Sequence, residues 1–414
     1  MSELPLEGYR ALDLTDDKGF LCGRILGDLG VDVIKVEPPG GEPSRRVGPF
    51  YNGTPDPEKS LYWFAYNANK RGITLNIESK DGQGIFNKLV NKVHFVIESF
   101  PPRYMDSLSL GYSSLSQVNP ALILTSITPF GQTGPYSHYK VSDIVEMGMC
   151  GLMYLCGDPD RPPVRITFPQ AYLHGGAEAA VQTMVAHYYR ETSGQGQWVD
   201  VSIQQSAFMA AFNAPWFWEL NRVILRRAGA WRTGLTSGVL QRQIWHCKDG
   251  YVNFPIYGGA LGARTNRRLA EWMDREGMSD DFLKKIDWDT FDMGSVTQEI
   301  WSHIEQLMVK FFQSHTKEEL YNEALRLNIM IYPVSTPGDI AENKQLEARE
   351  YWLQVEHPEL NDTITYPGVA VKASLTPMQI RRQAPLIGEH NEEIYQELGL
   401  SQNDLVMLKQ RRVI

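Results

Sequence analysis

The sequence predicts an α/β protein: a Rossmann-like large domain on a mostly parallel sheet, with a smaller inserted α/β domain. Three observations carry this expectation. Short β-branched apolar runs alternate with stretches whose apolar residues recur at helical spacing, the alternation starts near residue 9, and 414 residues exceed one typical domain.

Residues 9–14 read as a buried strand, 20–29 as a helix and 31–36 as a second strand, with a loop around Asp16 to Gly19. Residues 73–76 are strand-like, 82–92 helical, 94–97 strand-like and 121–127 again β-rich. Small and apolar residues at helical spacing over 175–189 predict a helix, which Gly194 and Gly196 end before a strand over 198–203. Beyond residue 222 the character changes to acidic, Trp-containing helices such as 296–312, with a turn at Lys248-Asp249-Gly250. The expected division is 1–221 for the first part of the large domain, 222–328 for the inserted domain, and 329–414 for a segment that completes the large one.

Composition narrows the function. The chain is 43% hydrophobic and 21% charged, which is ordinary for a folded protein, and its net charge of −9 leaves no basic stripe for nucleic acid. The N-terminal residues show no signal-peptide pattern and no apolar run approaches a membrane span, so a cytoplasmic protein is expected. Cys22, Cys150, Cys156 and Cys247 are too few and too scattered for a disulfide framework or a metal site, and read as reduced thiols. The loop after the first strand, TDDKGFLCG, lacks the Gly-x-Gly-x-x-Gly fingerprint, and no Walker-type loop occurs. Nicotinamide, flavin and nucleotide phosphoryl transfer all lose support.

Five stretches taken together carry a resemblance: GDLGVDVIKVEPPGGEPSR (27–45), NANKRGITLN (67–76), SLGYSSLSQVNPALILTSITPFGQTGPY (109–136), TSGQGQWVDVS (192–202) and APLIGEHNEEIYQELGL (384–400). In this order they resemble the family III CoA-transferases, a group that also includes α-methylacyl-CoA racemases. The resemblance implies a Rossmann-like large domain, a smaller domain reached through long linkers, and two chains interlocked like rings. It also implies covalent chemistry, in which an Asp carboxylate attacks an acyl-CoA thioester and CoA passes through an enzyme thioester to an acceptor acid. Coenzyme A or acyl-CoA is then a substrate, and no permanently bound cofactor is expected.

Matching positions give a candidate CoA site. Lys70 and Arg71, in the Asn-x-Asn-Lys-Arg motif just before a strand, and Arg45, closing the loop after the second strand, would meet phosphates. Phe100 matches an aromatic that lines the CoA channel, in the loop Glu98-Ser99-Phe100-Pro101-Pro102-Arg103, whose Arg103 is a further candidate. Lys140 matches a lysine that contacts CoA, and Asp143 reads as structural.

The nucleophile is missing. Counting back from Gly194-Gln195-Gly196-Gln197 puts the family's Asp position at Tyr172, or at Ala171, and FPQAYLHGG (168–176) contains no carboxylate. Glu178 lies about two turns too late; Tyr172 or His174 could act in different chemistry; or a related subunit supplies the Asp. A racemase His would fall at Ser142. The glycine-rich covering loop is reduced to residues 233–238, and Trp216, Phe217 and Trp218 form an aromatic cluster that suits either an aromatic substrate or core packing. The leading expectation is a non-catalytic subunit of a heteromeric CoA-transferase acting on dicarboxylic or aromatic acids, such as one of aromatic degradation that moves CoA from succinyl-CoA to an aromatic succinate. The alternatives are a homodimeric acyl-CoA enzyme with altered chemistry and a catalytically silent CoA-binding protein.

Overall fold

The computed structural model describes residues 4–233 and 238–414. The chain divides into two compact units, one of Met1–Met153, Arg165–Pro215 and Lys344–Ile414, the other of Tyr154–Val164 and Trp216–Asn343.

In the first unit the elements run β1 (Arg10–Leu14), α1 (Phe20–Asp28), β2 (Asp32–Glu37), α2 (Leu61–Asn67), β3 (Lys70–Thr74), α3 (Lys80–Val90), β4 (Phe95–Glu98), α4 (Tyr104–Ser107), α5 (Tyr112–Val118), β5 (Ile123–Thr128), α6 (Asp143–Met149), α7 (Gln170–Ser193), β6 (Gln197–Ser202) and α8 (Ile203–Phe208). The six strands form one wholly parallel sheet in the order β3-β2-β1-β4-β5-β6. This is the strand order of a Rossmann fold, with its reversal between β1 and β4. Residues Leu12, Ile34, Val96 and Leu124 anchor the core on one face, and Ala11, Val33, Phe95 and Ile123 on the other, as expected for strands covered on both sides.

Two glycines let α7 lie close. A Cβ at Gly175 would stand 2.8 Å from the Ile203 side chain, and one at Gly176 would stand 3.3 Å from the Cys22 backbone nitrogen of α1. The helix begins at Gln170, five residues before the expected start, because Asp143 of α6 accepts a hydrogen bond from the Tyr172 N–H (3.2 Å) and so serves a helix end that has no local side-chain cap.

β3 corrects the sequence reading. It starts at Lys70, so Lys70 and Arg71 belong to the strand and not to a loop before it. The reason is electrostatic. The Lys70 ammonium donates to Asp13 Oδ2 (2.8 Å), Asn67 Oδ1 (2.8 Å) and the Phe20 carbonyl (3.1 Å). Lys35 of β2 donates to the other Asp13 oxygen at 3.3 Å and to the Thr15 carbonyl. Asp13, Lys35 and Lys70 are all 0% exposed. Burial alone would raise the Asp13 carboxyl, but the two lysines hold it down at about 2.

The chain's last segment returns to this unit as the hairpin Trp352–His357 and Asp362–Pro367 and the helices Asn391–Glu397 and Gln402–Gln410. It covers the outer edge of β3: Asn391 Oδ1 accepts from the Thr74 N–H (2.8 Å) and Tyr395 donates to the Thr74 carbonyl (2.6 Å).

The second unit contains residues 222–328 and also takes in Tyr154–Val164 and the flanks on either side. Strands Ile244–Cys247 and Gly250–Asn253 form a hairpin around Lys248-Asp249, and Tyr332–Pro333 pairs with the second of them. Helix Gln298–Ser314 buries Trp301, Ile304, Met308, Phe311 and Phe312, a stripe at helical spacing packed with Trp245 and Trp272. Within this unit Trp216 and Trp218 are 59% and 50% exposed, so these two are not core. The expected covering loop at 233–238 falls largely outside the described residues. Among the described residues no helix is long and apolar enough to cross a membrane.

Asp13→Ala would leave two buried ammonium groups without their shared anion, at a cost of about 3–5 kcal/mol. Urea unfolding followed by circular dichroism measures it. A midpoint within error of the wild type would show that Asp13 does not hold the sheet.

Candidate functional site

Where strand order reverses, the loops leaving β1 and β4 part and open a crevice at the carboxyl ends of the strands. A cavity of about 820 Å3 lies there, lined by Leu14–Asp16 after β1, Val36–Pro39 after β2, Leu75–Glu78 after β3, Ser99–Pro102 after β4, and Pro129 with Ser137–Val141 after β5. It thus crosses five of the six strands. Phe100 and Tyr104 form an aromatic wall with ring centroids 4.8 Å apart, and the Tyr104 hydroxyl donates to Glu78 Oε1 at 2.7 Å.

The structure separates the six candidate residues into three groups. Phe100 and Lys140 line the large cavity, and Lys140 is exposed there with no side-chain partner among the described residues. Arg103, held at φ +67°, lines a neighbouring cavity of about 270 Å3 with Glu98, Trp198 and Tyr112. Arg45, Lys70 and Arg71 are buried in ion pairs. Arg45 grips Glu37 with two bonds of 2.6 and 2.7 Å, reaches Glu58 at 2.8 Å and the Pro385 carbonyl at 2.9 Å, and stacks its guanidinium 3.8 Å from the Trp63 ring centre. Arg71 joins Asp32 (2.9 Å), Glu393 (2.7 Å) and Glu397 (3.1 Å).

Sequence reasoning missed Lys18, His138 and Arg412 among the basic groups at this cavity, and Tyr104 and Glu78 in its wall. Lys18 is paired with Asp16. The loop Asp16 to Gly19 was legible as a loop, but the chain offers no local signal that Arg412 reaches the same place.

The first turn of α7, where counting along the sequence places the expected Asp position, holds Ala171 at 0% and Tyr172 at 8% exposure, a methyl group and a phenol. His174 is half-buried, and Glu178 accepts from Gln182 Nε2 (2.7 Å) along its own helix. Carboxylates do gather around Tyr172, but from other segments. Burial, with Asp17, Asp16, Asp143 and Glu146 as the charges felt next, pushes its phenol upward. Asp17 itself is pushed up to about 6, by burial first and by Asp16 second.

These features define the class: a Rossmann-type α/β protein with its ligand crevice at the switch point. The match of CoA-transferase family III to residues 6–391 goes further, and the chain belongs to that family. It is 34% identical to the succinyl-CoA:(R)-benzylsuccinate CoA-transferase subunit BbsE of Thauera aromatica, over 94% of this chain and 93% of that one. It is 28% identical to the succinyl-CoA–L-malate CoA-transferase beta subunit of Chloroflexus aurantiacus, over 99% of this chain and 98% of that one. The fold matches that of a CAIB/BAIF family protein from Brucella suis at a TM-score of 0.82 and 24% identity, covering 96% of this chain and 100% of that one.

Glu146, beside Asp143 on α6, gives this region a pH signature. It is 0% exposed, neither of its carboxylate oxygens has a hydrogen-bond partner, and burial, then Asp143, push it from 4.5 up to about 8. The folded protein keeps a proton that the unfolded chain releases near its ordinary value, so stability falls as pH rises from about 4.5 to about 8. Glu146→Gln removes this loss. Relative to wild type it should gain on the order of 3 kcal/mol between pH 4.5 and 8.5, read from urea midpoints at both ends. A difference that stays constant with pH would overturn the assignment.

Proposed function

We propose that this chain is a subunit of a heteromeric CoA-transferase that binds acyl-CoA but does not carry the nucleophile, which a related second subunit supplies. One observation carries the reading: from 168 to 176, where the family places its Asp, the chain offers only amide, phenol, imidazole and apolar side chains. A mixed anhydride forms only when a carboxylate attacks the thioester carbonyl and expels CoA thiolate. Neither Ala171 nor Tyr172 can make that bond.

Relatives that are themselves subunits support the heteromer. So does α7, whose outer face leaves Val181, Val185 and Tyr188 55%, 58% and 75% exposed beside Ile25 and Leu29, an apolar groove that a related subunit would cover. The same likeness favours succinyl-CoA as donor and an aromatic succinate as acceptor, and the exposed Trp216 and Trp218 suit an aromatic acid. In this reading the complex is cytoplasmic, takes CoA as substrate and holds no permanent cofactor.

Within the cavity, Lys140 meets a CoA phosphate and Phe100 a flat or apolar part of the ligand. Arg103 serves from the adjoining cavity. Arg45, Lys70 and Arg71 act indirectly, by fixing the strands that form the floor, because their donors are already committed. Lys140→Ala should therefore weaken CoA binding about tenfold or more, the range for a charged hydrogen bond, with the unfolding midpoint unchanged. Lys70→Ala should do the reverse, and calorimetry paired with urea unfolding tests both.

Trapping decides the role. After acyl-CoA is added to the complex, hydroxylamine is expected to modify the partner and leave this chain unlabelled. Label on this chain, or full turnover by it alone through Tyr172 or His174, would overturn the reading. A stable inactive homodimer that binds CoA would point instead to a silent CoA-binding protein.

A further inference from the structure

Arg412 lies outside every motif in the sequence, yet it lines the large cavity with Leu75–Glu78. Its side chain makes no ion pair or hydrogen bond among the described residues, whereas its neighbour Arg411 pairs with Asp81 at 3.3 Å. Its backbone lies at φ +55°, a conformation that costs a non-glycine residue energy. The surroundings enforce it. Val413 and Ile414 are 2% and 7% exposed in the core of the first unit, and the Val413 carbonyl accepts from the Asn76 N–H at 2.7 Å. The tail is thus pinned on both sides of one exposed arginine, and a strained residue with an unpaired charge is held at the mouth of a cavity.

Lys140 is another cation lining the cavity that has no partner among the described residues. Leu75–Glu78 follow β3 and Lys140 lies beyond β5, with β2, β1 and β4 between them. The carboxyl ends of β3 and β5 are four strand spacings of about 4.8 Å, about 19 Å, apart, and the cavity is lined from both. A cavity that crosses five strands suits an elongated ligand that carries separated anionic groups. Next to Arg412 stand the Phe100–Tyr104 wall, suited to a purine, and Glu78, whose carboxylate has a free lone pair to accept from an exocyclic amine.

We propose that Arg412 binds the 3′-phosphate on the adenosine of CoA, while Lys140 takes the diphosphate further along the cavity. This rests on the reading of the chain as a CoA-binding subunit. A phosphate monoester carries nearly two charges and three acceptor oxygens, the group that an arginine fork grips best.

Calorimetry with CoA and 3′-dephospho-CoA on the purified chain separates the two claims. Wild type should prefer CoA about tenfold or more. Arg412→Gly, which also relieves the positive φ and so keeps the tail folded, should bind both ligands within about twofold of each other. Its affinity for dephospho-CoA should stay that of the wild type, Arg412→Lys should restore part of the preference, and Lys140→Ala should weaken both ligands alike. If Arg412→Gly keeps the wild-type preference, the assignment of Arg412 is wrong and the functional reading stands. If wild type binds neither ligand, both are wrong.

Discussion

The sheet depends on one buried carboxylate. Asp13 of β1 is shared by Lys35 of β2 and Lys70 of β3, and the side chains of all three are fully enclosed. Three adjacent strands are thereby tied side by side at the end where the cavity opens. Burial of this kind is costly for each ion alone, and the network survives because each partner removes the other's penalty. Burial draws the Lys70 ammonium down to about 8, with Asp13 opposing, so the lysine keeps its charge at neutral pH through that single carboxylate. Arg45 with Glu37, at the end of β2, is a second buried pair of the same kind.

The same network explains what the sequence could and could not disclose. β1, β2, β4 and β5 were readable because strands buried on both faces are continuous apolar runs. β3 was misplaced at its start because Lys70 and Arg71 look like loop residues, and only Asp13 and Asp32, 57 and 39 residues away, make them strand residues. The start of α7 was misplaced for a like reason: its cap is Asp143, 29 residues distant. Local pattern cannot report a partner supplied by the fold.

For the candidate site, the resemblance named cations without being able to rank them. Arg45, Lys70 and Lys140 look alike in a motif, yet two are spent in buried pairs and one is free. What separates them is the position of opposing carboxylates, which is tertiary information. That 168–176 holds no carboxylate was fully legible, since the segment reads FPQAYLHGG.

The surroundings of Tyr172 bear on what a carboxylate would meet at that position. A carboxylate at the first turn of a helix normally gains from the backbone N–H groups and the helix dipole. Here the Tyr172 N–H is already taken by Asp143, and Asp16, Asp17 and Glu146 bear on the same spot. An acid placed at 172 would meet acids on several sides, in a pocket where burial already lifts Asp17 to about 6. Its pKa would rise and its ionised fraction would fall, because like charges and desolvation both disfavour the anion. The neighbours of Tyr172, as they stand, would not favour an ionised Asp at that position. Such a setting is compatible with the binding role proposed for this chain and adverse to a carboxylate nucleophile at 172.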